Sequence, residues 1–253
     1  MAASLERVWE NVYDWEHLPY LHDSSFCGID LEEAGDWGWR ARVKLPPAAQ
    51  PTELTIELRA DRVAGVYHTR TLAGPGTGSD IVTRLSVSDR HRTDVAVAFH
   101  IAGVPDAARE AIGAGYVRLY TRLWDEDEAM MQQRQAFLDG RAPKPPAPGP
   151  RPRLALGSAT WLREAGARIV ELAGDRFRVV LHEDRLVAHP LVCPHQGASL
   201  ADATFEAGAV VCPWHGYRFD CESGRGPAGQ RCRMAVGARV EVDERGDAHL
   251  VVT

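Results

Sequence analysis

The sequence predicts an α+β protein in two parts, an antiparallel sheet curled around a long helix and then a small all-β unit. Three observations carry this. Helix-period segments at residues 4–18 and about 105–138 bracket a series of strand-like runs. A proline-rich stretch, "DGRAPKPPAPGPRPR", then interrupts the chain from Asp139 to Arg153. Beyond it the pattern is short strands and turns only. The expected division is therefore residues 1–138, a linker over 139–152, and 153–253.

The first helix is read from "SLERVWENVYDWEHL", where Leu5, Val8, Trp9, Val12 and Trp15 recur at helical intervals until Pro19 interrupts. Five strands follow: "WGWRARVKL", "TELTIELRA", "GVYHTRTLA", "DIVTRLSVS" and "DVAVAFHIA". Several alternate apolar with polar residues, as a half-exposed antiparallel sheet should. The closing helix folds back on that sheet and leaves an apolar cavity between the two. The prolines of the linker fit neither a helix nor a central strand, so it is expected to be extended. The second part is read from "RIVELAG", "FRVVLHE", "RLVAHPLV", "AVVCPW", "RVEVDE" and "AHLVVT".

Composition narrows the function classes. The 253 residues are 45% hydrophobic and 25% charged, an ordinary globular balance, and the net charge of −6 offers no basic surplus for nucleic acid. No run of eighteen apolar residues occurs and the start lacks a signal-peptide pattern, so no membrane span and a cytoplasmic location are expected. Five cysteines, an odd count, do not read as a disulfide framework. Glycine-rich "AGPGTGSD" joins two strands and opens no helix, so no nucleotide site is expected there.

Four residues stand out as ligands: Cys193 and His195, then Cys212 and His215. They read C-x-H, sixteen residues, C-x-x-H, and each pair lies in a tight turn shaped by Pro194 and Gly197 or by Pro213 and Gly216. Two thiolates on one iron and two imidazoles on another make a Rieske centre, in which neutral imidazoles raise the potential above that of a four-cysteine cluster. Structural zinc is the alternative, but it draws mainly on C-x-x-C pairs. "CPHQGA" and "CPWHGYRFD" closely resemble the two motifs of the Rieske [2Fe-2S] family, over roughly residues 153 to 253. Respiratory Rieske proteins add a disulfide whose cysteines would fall at Ala198 and Trp214. Its absence here makes the domain similar to the ferredoxin and oxygenase type, with Cys221 and Cys232 as buried thiols.

A second metal is suggested by "ENVYDWEHLPYLH", which reads N-x-x-D-x-x-H-x-x-x-x-H at Asn11, Asp14, His17 and His22. Asp14 and His17, three apart, share a helix face, and Pro19 lets His22 swing back toward His17. Two histidines with one carboxylate are the facial triad of non-haem Fe(II) oxygenases. The segment resembles the mononuclear-iron motif of Rieske non-haem iron oxygenases, whose catalytic domain has the helix-grip (START-like) fold. The resemblance implies that His17 and His22 ligate Fe(II), that Asp14 bridges to a Rieske histidine, and that Asn11 stands close to the iron.

The family takes its carboxylate from the last helix, which here carries "LWDEDEAMM". At 100° per residue Asp127 falls within the apolar stripe of Ile112, Tyr116, Leu119, Leu123 and Met130. Asp125 and Glu128 point away, and Glu126, at the margin, is the reserve ligand. An Asp in such a stripe is costly unless ligated or paired, for instance with an arginine. "EDEAMMQQRQ" also resembles the family's E-D segment.

The resemblance implies that an external NAD(P)H-dependent reductase or ferredoxin reduces the [2Fe-2S] cluster. The electron then passes from His195 or His215 by way of Asp14, and O₂ is used to hydroxylate or oxidatively demethylate an apolar or aromatic small molecule. It also implies a homotrimer with transfer between subunits. Two features depart from the family: the Rieske domain follows the catalytic motifs, like a permuted chain, and the catalytic part is short. A different class competes, an apolar-ligand-binding domain fused to a Rieske electron carrier without oxygenation.

Overall fold

The computed structural model describes residues 1–140 and 152–252. The chain forms two compact units, Met1–Gln135 and Ala136–Thr253. Most of the expected proline-rich linker lies outside the described residues.

In the first unit, helix α1 (Leu5–Tyr13) is capped by Ser4, whose hydroxyl accepts from the amide of Arg7 at 3.4 Å. Its inner face buries Val8, Trp9 and Val12, and with them Asn11. The helix stops at Tyr13, earlier than the periodicity predicts, and Asp14 and His17 lie in the turn that follows. Pro19 does not break a helix; it sits in the first turn of a new short one, α2 (Leu18–Leu21), where its missing amide costs nothing.

Six strands follow as an antiparallel meander in sequence order: β1 (Gly28–Gly35), β2 (Gly38–Leu45), β3 (Thr52–Asp61), β4 (Val66–Ala73), β5 (Asp80–Asp89) and β6 (Arg92–His100). The sequence predicts five of these and misses β1. That edge strand offers only Ile29 and Leu31 as large apolar residues. Charge pairs across to β2 support it: Asp30 with Lys44 at 2.9 Å, Glu32 with Arg42 at 3.7 Å, and Glu33 with Arg40 at 3.9 Å. The β1–β2 turn requires glycine at Gly38, where φ is +125° and a Cβ would lie 1.9 Å from the carbonyl oxygen of Leu58.

A 3₁₀ turn at Asp106–Ala108 leads into α3 (Arg109–Asp139), 31 residues long. The core of this unit joins Val8, Trp9 and Val12 of α1, Trp39, Ile56, Leu58 and Tyr67 of the sheet, and Met131 of α3. Trp39 Nε1 donates to the carbonyl of Val12 at 3.0 Å and ties β2 to α1. The predicted fold, a sheet with a long helix and then an all-β unit, is the one observed.

The second unit opens with β7 (Arg153–Ser158) and a short helix, α4 (Ala159–Ala165). Next come β8 (Arg168–Leu172), β9 (Asp175–His182), β10 (Arg185–Pro190), β11 (Phe205–Glu206), β12 (Ala209–Val211), β13 (Arg218–Asp220), β14 (Ala238–Val242) and β15 (Asp247–Val252). Among the described residues they make three three-stranded sheets, β10-β9-β8, β11-β12-β13 and β14-β15-β7, and the first and third share a core of Phe177, Val179, Ala188 and Leu250. No helix among the described residues is long and apolar enough to cross a membrane.

Candidate metal centres

The two Cys/His loops of the second unit are built alike. The amide of Cys193 donates to the carbonyl of Ala198 at 2.8 Å, and the Cys193 carbonyl accepts from Gly197 at 3.0 Å. Cys212 repeats both bonds, with Tyr217 at 2.8 Å and Gly216 at 2.9 Å. Each turn closes on a glycine in the left-handed region, φ 90° at Gly197 and 64° at Gly216. Both cysteines are buried and all five in the chain are free thiols. The rings of His195 and His215 lie 4.6 Å apart, and Tyr217 stacks on His195 at 4.4 Å.

The thiols of Cys193 and Cys212 hydrogen-bond each other. That bond holds Cys212 below the ordinary thiol range and Cys193 above it, so the pair loses one proton readily. Two buried thiols in contact beside two adjacent imidazoles match the S₂N₂ donor set that a Rieske [2Fe-2S] centre requires, and these residues fit that group. Tyr217 lies within the second motif, but its stacking on His195 was not anticipated from sequence.

In the first unit, His17, His22 and Asp127 come together. All three are buried, and one ligand atom from each lies within 4.8 Å of the others. Asp127 Oδ1 is 3.1 Å from His22 Nε2 and 3.5 Å from His17 Nε2. An ion about 2.1 Å from each donor would set neighbouring donors at right angles ~3.0 Å apart. The spacing therefore suits a divalent cation. Asn11, on the inner face of α1, donates its amide to Asp127 Oδ1 at 2.9 Å and fixes that carboxylate. Asp14 stands 4.0 Å from Nδ1 of His17.

Glu126 sits on the far side of His22, its carboxylate 2.6 Å from Nδ1. Burial works against a charged His22 ring, but Asp127 and then Glu126 outweigh it and hold its pKa above the ordinary value. Glu126 is thus a neighbour of a proposed ligand, not one of the three converging donors. The sequence marked it only as a reserve ligand, because its true contact depends on a ring 104 positions away.

The three residues open onto a cavity of about 130 Å³ whose walls are largely apolar, including Phe26, Trp39, Ile56, Leu58 and Leu123. Tyr67 and Tyr120 bring phenols to it. Burial pushes both above the usual phenol value, with the charge of Asp127 adding at Tyr67, so they are neutral hydroxyls at physiological pH. His68 is not among the lining residues; it pairs with Asp80 at 2.9 Å.

The second unit defines the class: the chain carries a Rieske [2Fe-2S] domain, the family whose model matches residues 154–235. No curated protein matches the chain. Among solved structures it is similar to the ferredoxin of carbazole 1,9a-dioxygenase from Nocardioides aromaticivorans IC177, at 25% identity, over 39% of this chain and 97% of that one, with a TM-score of 0.33. It is similar to the terminal oxygenase of the same system at 20% identity and a TM-score of 0.34, over 40% of this chain and 30% of that one. A third likeness is the Zhui aromatase/cyclase from Streptomyces sp. R1128, at 19% identity, over 53% of this chain and 89% of that one, with a TM-score of 0.43.

Proposed function

We propose that the chain is a Rieske-type oxygenase acting on a small apolar or aromatic molecule. The observation that carries this reading is the meeting of His17, His22 and Asp127, all buried, on the wall of an apolar cavity. A carrier of single electrons has no use for such a set. The [2Fe-2S] cluster would supply one-electron transfer, and a ferrous ion held by His17, His22 and Asp127 would supply O₂ activation.

The chain's own residues divide the remaining work. Asn11 keeps Asp127 oriented. Asp14, beside His17, couples the ring electronically to His195 or His215. The aromatic and aliphatic walls hold the substrate and exclude water. Electrons come from an external NAD(P)H-dependent reductase or ferredoxin, and the working form is a homotrimer in which they cross between subunits.

The protein, purified without oxygen and loaded with Fe(II), is expected to contain three irons and two acid-labile sulfides per chain. Two irons after ferrous loading would instead favour a ligand-binding domain fused to an electron carrier.

A further inference from the structure

We propose that Glu126 is a positioning residue for the metal site, holding His22 in the one tautomer and orientation that turns its Nε2 toward Asp127. The inference rests on the reading of His17, His22 and Asp127 as metal ligands.

The geometry is a clamp. His22 Nδ1 lies 2.6 Å from Glu126 Oε2, while His22 Nε2 lies 3.1 Å from Asp127 Oδ1. One imidazole is gripped at both nitrogens by consecutive residues of a single helix. Consecutive helical side chains diverge by about 100°, which lets two neighbouring carboxylates straddle a ring. An ionised carboxylate only accepts hydrogen bonds. The nitrogen facing Glu126 therefore carries the proton, and the lone pair needed for a metal is left on Nε2. A direct ligand role for Glu126 is incompatible with this arrangement, because the ring stands between its carboxylate and Asp127.

The location gives the contact its importance. His22 follows the four-residue helix α2 and so has little regular structure of its own to hold it. Helix α3, 31 residues long, is the rigid reference, and it carries Asp127 as well. Glu126 thus registers the loop ligand against the helix ligand. A hydrogen-bonded carboxylate behind a ligating imidazole also raises its basicity, and removing such partners typically lowers metal affinity 10- to 100-fold.

The test titrates Co(II) into the full chain with its Rieske cluster intact, and follows the exchangeable, paramagnetically shifted imidazole N–H protons by ¹H NMR. Wild type is expected to bind one Co(II) at the three-residue site and to show a slowly exchanging signal from His22 Nδ1–H. Glu126→Ala should weaken binding by roughly 10- to 100-fold and lose that signal to exchange. Glu126→Gln should recover much of both, since its amide oxygen still accepts the same proton. Asp127→Ala should abolish binding, and Asp125→Ala, on the outer side of the same helix, should match wild type. Failure of wild type to bind Co(II) would overturn the metal site and the role of Glu126 with it. Tight wild-type binding with an unchanged affinity in Glu126→Ala, or equal losses in the Ala and Gln variants, would overturn the positioning role alone.

Discussion

Asp127 shows where an ionisable residue on an apolar stripe finds its partners. Its helical phase was legible because 100° per residue places it about 40° from Leu123, on the flank of the apolar stripe, whatever the fold around it. The sequence also allowed an arginine to satisfy it. The partners observed are Asn11, His17 and His22, which arrive from more than a hundred residues away and leave no local pattern. A second buried ionisable group, His189 of β10, has a measurable consequence. Burial lowers its pKa to about 4, with Arg178 adding to the effect and the Pro190 carbonyl opposing it. The fold therefore holds the neutral ring. Its contribution is complete above the unfolded value near 6.5 and is lost as pH falls toward about 4, about 3 kcal/mol in all. Urea unfolding of the second unit, followed by bleaching of the Rieske chromophore, should show this loss between those pH values. In His189→Leu the total loss over that range should be smaller by that amount; an unchanged loss would assign the effect to another group.

Helix α3 serves two spaces at once. Tyr120 and Trp124 line the 130 Å³ cavity and also a second hollow of about 530 Å³, bordered by Val97 and Phe99 of β6 and Val117 of α3. These two side chains are the wall between a small chamber and a large one. Cavities near 150 Å³ admit a single benzene ring. Wild type is therefore expected to take one ring in the chamber, and Trp124→Ala to bind naphthalene at least about tenfold more tightly than wild type does, or ~1.4 kcal/mol. Calorimetric titration with benzene and naphthalene checks both, and an unchanged preference would mean that Trp124 does not separate the spaces. The wall was not legible in the sequence: the apolar stripe of α3 is visible, but whether a stripe faces a core or a void depends on the opposite strands. Strand β1 escaped detection for a related reason. Its side-chain support from β2 is charged rather than apolar, and apolar alternation carries no trace of it.

For the whole molecule, the Rieske domain was legible because its two Cys/His loops are local and self-contained, each fixed by the same pair of backbone hydrogen bonds. How the two units cooperate is another matter, and it can be put to a test of complementation. Cys193→Ala removes the cluster and spares the first unit; His17→Ala does the reverse. On the proposed transfer between subunits, oxygenase activity is expected to return in mixed oligomers of these two inactive chains. No recovery in demonstrably mixed oligomers, or full activity of an isolated monomer, would mean that each chain serves itself.

The clamp on His22 also sets an order in time. Glu126 is 104 positions beyond His22, and the whole six-stranded meander lies between them. During synthesis at 5–20 residues per second, His17 and His22 leave the ribosome roughly 5–20 seconds before Asp127 does. Throughout that interval the nascent chain holds both histidines but neither Glu126 nor Asp127. The complete set of donors exists only after all six strands of the first sheet have been made, so a cation captured there would be acquired by a finished sheet and would serve as a record of its completion.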